Sequence, residues 1–141
     1  MPEKTTQTVK CLFVRPPFAG WIVDGVKTIE YRSKASNIRG RIGIIQSMSG
    51  TVIGDVEIVG CNWNEKIQRY EWSLANARRY AHALAFQQKS GAVVWIGVDY
   101  DPNVQETAPA LSDAAMRQEK AAYEKEIAIF LNSSKRGETK P

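Results

Sequence analysis

Apolar and polar residues alternate over several short stretches of the chain, and this pattern predicts β-strands. Residues 10–14 form a short apolar run, which indicates a buried strand. Residues 27–33 alternate between a charged face and an apolar face, as expected for a strand with one side in the core. Gly54 and Gly60 interrupt a longer strand and predict a bulge or a bend in it. That longer strand covers residues 51–61, and two further segments, residues 41–47 and 92–98, are also predicted to be strands.

Apolar residues at helical spacing predict three helices. The first is short and covers residues 18–26, where aromatic and aliphatic residues recur at i, i+3 and i+4. The second begins at Ser73, a suitable N-cap, and continues through Ala81. The third is the longest and covers residues 111–132, with an apolar stripe that we expect to pack on the chain's own domain. That stripe consists of Met116, Tyr123, Ile127 and Phe130.

The order of these elements predicts the fold class. A helix lies between the first two strands, another precedes the last strand, and the longest helix comes at the C-terminal end. Short strands with glycine bends favour an α+β fold built on a small, partly closed β-barrel of about five to six strands, with two short helices and an added C-terminal helix. Residues 101–110 are predicted to be a linker, and the polar residues 1–8 and 133–141 are predicted to be disordered.

Length and composition limit the class of protein. The chain has 141 residues, of which 43% are hydrophobic and 24% are charged, as is ordinary for one globular domain. Two cysteines and one histidine are too few for a disulfide scaffold or a His-rich metal site, so we predict no metal and no cofactor. No apolar run reaches the ~18 residues of a transmembrane helix, and residues 1–10 lack the apolar core of a signal peptide. We therefore expect a cytoplasmic protein without a membrane contact.

Positive charge is concentrated in the first third of the chain. The net charge is +4 overall, and residues 1–50 contain eight basic and three acidic residues. Such an excess favours phosphate-bearing partners, because it attracts polyanions before contact. The alternative is that these residues only keep the protein soluble, and charge alone favours that alternative.

Short motifs occur along the chain in the order typical of a known family. Residues 15–19 read arginine, two prolines, an aromatic residue and alanine, and residues 22–32 contain the pattern G-x-K-T-x-E-x-R. The later motifs are residues 39–44, 54–56, 70–74 and 91–95. Together they resemble the signature of ASCH domains over residues 9–100, and residues 101–141 lie outside the resemblance.

The resemblance implies a PUA-like β-barrel with a cleft beside the first helix, floored by the charged strand. It also implies RNA recognition, since domains of this superfamily are associated with it, and some relatives are enzymes. One branch hydrolyses acylated cytidine with a Lys, a Thr three residues later and a distant Glu. Lys27 matches that Lys, but Glu30 stands where the Thr nucleophile would be. Another branch is ribonuclease-like.

We therefore predict a cleft that binds RNA or a nucleotide-like ligand between the first helix and residues 27–32. The arginines and Lys27 would contact phosphate, Glu30 would accept a hydrogen bond from a base amine, and Phe18 would stack on a base. The structural alternatives are an ion pair between Glu30 and Arg32 and ordinary solvent exposure of the other arginines. The predicted ligand-binding residues are Arg15, Phe18, Lys27, Thr28, Glu30, Arg32, Arg39 and Arg41.

Two other functions are open at this point. In a hydrolase acting on RNA or on a modified nucleoside, Lys27 would stabilise developing negative charge and Glu30 would be the general base. In a protein-interaction module, the helix over residues 111–132 would be the contact surface. We expect a monomer or a weak homodimer, with RNA or a nucleotide-like ligand as its partner.

Overall fold

The computed structural model describes residues 6–86 and 94–135. Of the predicted segments, residues 1–5, 91–93 and 136–141 lie outside the described residues. Six strands and two α-helices follow one another along the described chain. They are β1 (Gln7–Val14), α1 (Phe18–Val23), β2 (Ile29–Arg32), β3 (Gly40–Gln46), β4 (Thr51–Asn64), β5 (Arg69–Ala85), β6 (Trp95–Tyr100) and α2 (Asp113–Lys135), with a 3-10 helix at Pro102–Val104.

The six strands form one sheet in the order β2-β5-β4-β3-β1-β6. β1 runs parallel to β3, and the other neighbouring strands are antiparallel. The predicted α+β class is confirmed, but the predicted closure into a barrel is not found, because the sheet has open edges at β2 and β6. Closure requires the two edge strands to pair, and β2, with four residues, offers few hydrogen bonds for it.

Alternation of side chains along β1 gives the sheet two buried faces. Leu12 and Val14 point to one face, where they join a cluster with the apolar side of α1. Val9 and Cys11 point to the opposite face and join a second cluster that includes Tyr80. We call these the helix face and the far face. Burial raises the pKa of the Cys11 thiol to about 12, so this thiol stays protonated at neutral pH.

The predicted second helix is wrong, because residues 73–81 lie in β5. This strand is internal to the sheet and pairs with β2 on one side and β4 on the other. Leu74 and Ala77 have the i, i+3 spacing of a helix, and both pack on the helix face. Between them Asn76 has a φ of 54°, and the register with β4 shifts. This bulge puts two strand residues three positions apart on one face, which imitates the spacing of a helix.

The predicted irregularity of the long strand is confirmed in β4. Its register with β5 shifts next to Gly54 and Gly60. A Cβ at Gly54 would lie 2.2 Å from the carbonyl oxygen of Arg78 and 2.7 Å from a methyl group of Val23. Glycine at this position therefore allows α1 to lie close to the middle of the sheet, and α1 leads the chain into β2.

The segment after β6 returns along β5 before it enters α2. The N–H of Ala81 donates to the carbonyl of Glu106 at 2.7 Å, and the N–H of Ala108 donates to the carbonyl of Arg79 at 2.8 Å. Ser112 caps α2, because its hydroxyl oxygen accepts a hydrogen bond from a backbone N–H of the first turn at 3.1 Å. Neither α-helix in the described part of the chain is long and apolar enough to cross a membrane.

Gly54→Ala is expected to destabilise the fold by about 1–3 kcal/mol, because the added methyl group would push α1 and the β5 backbone apart. Gly60→Ala is the matched control, since the nearest atoms to a Cβ there are 3.8 Å away. Urea unfolding followed by tryptophan fluorescence measures both variants. Equal midpoints for the two would contradict the close approach of α1 at Gly54.

Candidate functional site

A buried carboxylate joins two cations on the charged strand. Glu30 lies on β2 opposite Trp72 of β5 and is 7% exposed. One carboxylate oxygen of Glu30 accepts a hydrogen bond from Nε of Arg32 at 2.7 Å. The other oxygen lies 3.4 Å from Nζ of Lys27. The ion pair between Glu30 and Arg32 is thus present, and Lys27 is a second ionic partner of the same carboxylate.

Lys27 lies among aromatic rings and is 3% exposed. Its Nζ is 5.2–5.5 Å from three ring centres, those of Phe18, Tyr31 and Tyr123. The same nitrogen donates to the backbone carbonyl two residues later at 2.6 Å. Burial lowers the pKa of Lys27 from its ordinary value, and the charge of Glu30 opposes this shift without reversing it. The amine therefore loses its proton at a lower pH than an exposed lysine does.

Arg32 connects this buried pair to the solvent. Its side chain is 25% exposed, and Nη2 donates to the carbonyl oxygen of Phe13 at 3.1 Å. The guanidinium also lies over the ring of Trp72, 5.8 Å from the ring centre, and Trp72 stacks on Trp95. A fixed guanidinium thus lies over a ring that is itself buried. We give the name Lys27 site to the group formed by Phe18, Lys27, Glu30, Arg32 and Trp72.

Helix α2 covers the Lys27 site. The ring of Tyr123 meets Trp21 edge-on, with ring centres 5.5 Å apart, while Trp21 Nε1 donates to Glu119 at 2.8 Å. Further along α2, the ring centre of Phe130 lies 6.1 Å from that of Tyr31. The apolar stripe of α2 therefore packs on the chain's own domain, as expected. Burial raises the pKa of the Tyr123 hydroxyl, so this group stays neutral at neutral pH.

Two of the predicted residues are exposed to solvent and stand beside residues of the Lys27 site in the sequence. Arg15 and Thr28 are exposed, and neither side chain has a hydrogen bond or ion pair within residues 6–86 and 94–135. Arg15 follows Phe13 by two residues, so it lies within about 7 Å along the chain of the carbonyl that binds Arg32. An anion at Arg32 is therefore within reach of the Arg15 side chain.

The remaining two predicted residues lie elsewhere. Arg39 donates to two carbonyl groups of its own loop, both at 2.9 Å. Arg41 binds Asp55 on the far face of the sheet. Asp55 is fully buried and also accepts hydrogen bonds from Arg78, at 2.7 and 2.9 Å, and from Tyr80, at 2.6 Å. In the described part of the chain, no contact joins Arg39 or Arg41 to the Lys27 site.

Three aromatic residues in or around the Lys27 site were not predicted to lie there. Tyr31 and Trp72 stand in or beside the quoted motifs, and Tyr123 belongs to the predicted apolar stripe of α2. The sequence therefore indicated that Tyr123 is buried, because an apolar stripe on a helix packs against another part of the protein. It did not indicate which part. The chain places that part almost 100 residues away from it, at Trp21 and Lys27.

The chemistry available here is that of charged and aromatic side chains. Among the residues that the structure describes, no three His, Cys, Asp or Glu side chains are grouped to hold a metal ion. The site offers instead a partly exposed guanidinium, the half-buried ring of Phe18, and a buried amine beside a carboxylate. Such groups bind anions, stack on flat rings and transfer protons.

Comparison with known families agrees with the resemblance noted in the sequence. The family model described as "ASCH domain" matches residues 12–131. This match includes the whole Lys27 site and most of α2, so it extends beyond residue 100, where the resemblance was expected to end. A search of curated proteins finds no match to the chain.

Lys27→Met is expected to change how stability depends on pH. The unfolded chain keeps the lysine proton up to its ordinary pKa of 10.5, whereas the folded chain releases it at a lower pH. Between these two pKa values the unfolded state binds more protons. The free energy of unfolding of the native protein therefore rises with pH relative to the variant, by at most about 1.4 kcal/mol per pH unit.

Urea unfolding at a series of pH values between about 7 and about 9.5 measures this difference. Lys66→Met serves as the control for the loss of an exposed lysine. If the profile of Lys27→Met runs parallel to that of the native protein, the amine is not shielded from solvent.

Proposed function

Because the chain belongs to the ASCH domain family, we propose that it binds RNA or a nucleotide-like ligand at the Lys27 site. The observation that carries this proposal is the pair of cations, Lys27 and Arg32, held by the single carboxylate of Glu30 beside an aromatic surface. With Lys27 protonated, two cations and one anion leave a net positive charge. A phosphate group is the natural complement of that charge, and a base is the complement of the rings.

The phosphate binds at Arg32 and Arg15. Arg32 uses Nε for Glu30 and Nη2 for a backbone carbonyl, which leaves Nη1 without a partner among the described residues. Because both of these contacts fix the guanidinium, little rotamer entropy is lost when an anion binds to its free edge. Arg15 is exposed, follows Phe13 by two residues and supplies a second cation.

The base contacts Phe18 and Glu30. Phe18 is half-buried beside Lys27, so one part of its ring is accessible for stacking. The Glu30 oxygen that faces Lys27 at 3.4 Å is held less tightly than the one that binds Arg32 at 2.7 Å. This looser oxygen accepts a hydrogen bond from an exocyclic amine of the base.

For a ligand to reach Lys27, α2 has to move away from it. Tyr123 covers Lys27, and the edge-on contact with Trp21 and the hydrogen bond from Trp21 to Glu119 hold the helix in place. An aromatic pair of this kind is worth about 0.5–1.5 kcal/mol beyond burial. Displacement of Tyr123 also gives up its contact with Lys27, and a base that takes the place of the ring would restore that contact.

A hydrolase is the second candidate, and the burial of Lys27 favours it. An amine with a lowered pKa is more often neutral near neutral pH and then accepts a proton. Glu30, 3.4 Å away, is placed to exchange that proton. The candidate substrates are RNA and an acylated nucleoside.

Lys27→Ala is expected to weaken the binding of short single-stranded RNA of every composition, because it removes a cation that acts on any phosphate. Glu30→Gln is expected to preserve the fold and to reduce discrimination between bases with and without an exocyclic amine. Fluorescence anisotropy with labelled homopolymers at two salt concentrations measures both effects. Each lost cation lowers the slope of log affinity against log salt by about one unit.

Lys66→Ala controls for the loss of an exposed positive charge. If both site variants bind all RNAs with native affinity, or if the affinity does not depend on the salt concentration, the Lys27 site is not the binding site. Labelled RNA and acylated cytidine are incubated in parallel, and product formation that Lys27→Ala abolishes would favour the hydrolase.

Tyr123→Ala is expected to tighten RNA binding by about 2- to 10-fold, because the ligand no longer displaces a ring. Tyr123→Phe keeps the ring and is expected to bind as the native protein does. The same anisotropy titration measures both. Weaker binding by Tyr123→Ala would mean that the ring contacts the ligand instead of competing with it.

A further inference from the structure

We propose that the protein has a second anion site, a cavity lined by Lys10, Arg39 and Arg41 that binds the phosphate group of a nucleotide or oligonucleotide. The three basic side chains come from β1, from the loop before β3 and from the start of β3. They line a cavity of about 340 Å³. We call it the basic cavity.

Two of its cations carry charge that the described residues do not compensate. The side chain of Lys10 has no hydrogen bond or ion pair with any described residue. Arg39 donates through Nη1 to the carbonyl groups of Ser36 and Ile38, which are neutral acceptors. Its Nε and Nη2 have no partner in the described ranges. Arg39 is therefore oriented by its loop, with one edge of the guanidinium available.

The third cation, Arg41, is fixed in position. It binds the fully buried Asp55, and Nη2 lies 3.5 Å from Glu57. Asp55 also forms an ion pair with Arg78, so one carboxylate is shared between two guanidinium groups and does not fully neutralise Arg41. The Nε of Arg41 has no partner among the described residues. Such an anchored guanidinium binds an oxyanion with little further ordering.

The charge around the cavity favours a single phosphate. Every charged residue in the lining is basic. The nearest additional carboxylate that a lining residue contacts is Asp99, which accepts a hydrogen bond from Thr8 at 2.6 Å. The two positive charges of Lys10 and Arg39 exceed the single negative charge of Asp99. The guanidinium edge matches the geometry of phosphate oxygens, and Ile38 and Pro102 add apolar surface for a sugar or a base.

The basic cavity is separate from the Lys27 site. β3 is three strands away from β2 in the sheet, a distance of about 14 Å. One phosphate therefore cannot occupy both sites.

Titration of the full-length, isotope-labelled protein, followed by backbone amide chemical shifts, tests the basic cavity. The probes are inorganic phosphate, a nucleoside 5′-monophosphate and a short RNA without a terminal phosphate. Saturable shifts are expected at Lys10 and Arg39 and at their neighbours. Shifts with the first two probes alone identify a phosphomonoester as the ligand, and shifts with the RNA identify the nucleic-acid backbone. Either result supports the site.

Arg39→Gln and Lys10→Gln are each expected to weaken binding by about five-fold, as for one exposed charge-assisted contact. Both side chains are exposed and have no ionic partner among the described residues, and Arg39 contacts only carbonyl groups of its own loop, so these variants are expected to keep the fold. Lys66→Gln is the matched control. Lys27→Ala is expected to leave the shifts at Arg39 unchanged, which separates this site from the Lys27 site. The absence of saturable shifts with all three probes, or native affinity in Arg39→Gln, would overturn the proposal.

Discussion

Asp55 lies in the middle of β4 with none of its surface exposed, and the arrangement of the surrounding strands follows from how its charge is satisfied. A carboxylate without water costs several kcal/mol unless donors replace the water. Arg41 of β3 and Arg78 and Tyr80 of β5 supply those donors. Tyr80 in turn shares a hydrogen bond with Tyr100 of β6 at 2.9 Å. One buried charge thus fixes four strands relative to one another, and burial raises the pKa of both tyrosines so that they stay neutral donors.

The helix face also has a buried carboxylate that pairs with cations, but its ionic contacts are longer than those of Asp55. Glu30 also holds two cations, but only the contact with Arg32 is short, and Lys27 receives the rest of its solvation from rings and a carbonyl. One of those rings, Tyr123, belongs to α2. Without α2 the amine would regain water, so the helix is part of the electrostatics of the site and not an appendage. The extension of the family match to residue 131 agrees with this role.

Local sequence patterns predicted those helices and strands whose hydrophobic periodicity is regular, without a bulge imposed by pairing in the sheet. β1, α1, β2, β3, β4 and α2 follow from alternation, helical spacing and glycine position. β5 does not, because its bulge at Asn76 converts a strand pattern into helical spacing, and only pairing with β2 and β4 reveals the strand. The same limit applies to the site. Lys27, Glu30 and Arg32 were predicted together because six consecutive residues contain them. The separation of Arg41 from them depends on strand order, which no local pattern encodes.

Strand order also explains what becomes of the positive charge in the first third of the chain. Glu30 balances part of it on the helix face, and Asp55 and Glu57 of β4 balance Arg41 on the far face. Four described cations of this third have no ionic partner among the described residues: Lys10, Arg15, Lys34 and Arg39. Lys10 lies in the middle of β1, and Arg15 follows the last residue of that strand. Five residues of strand separate them by about 17 Å. β1 therefore sets the spacing between the two proposed phosphate positions. A mononucleotide spans only one of them, and a polyanion reaches both only as an extended strand that follows β1.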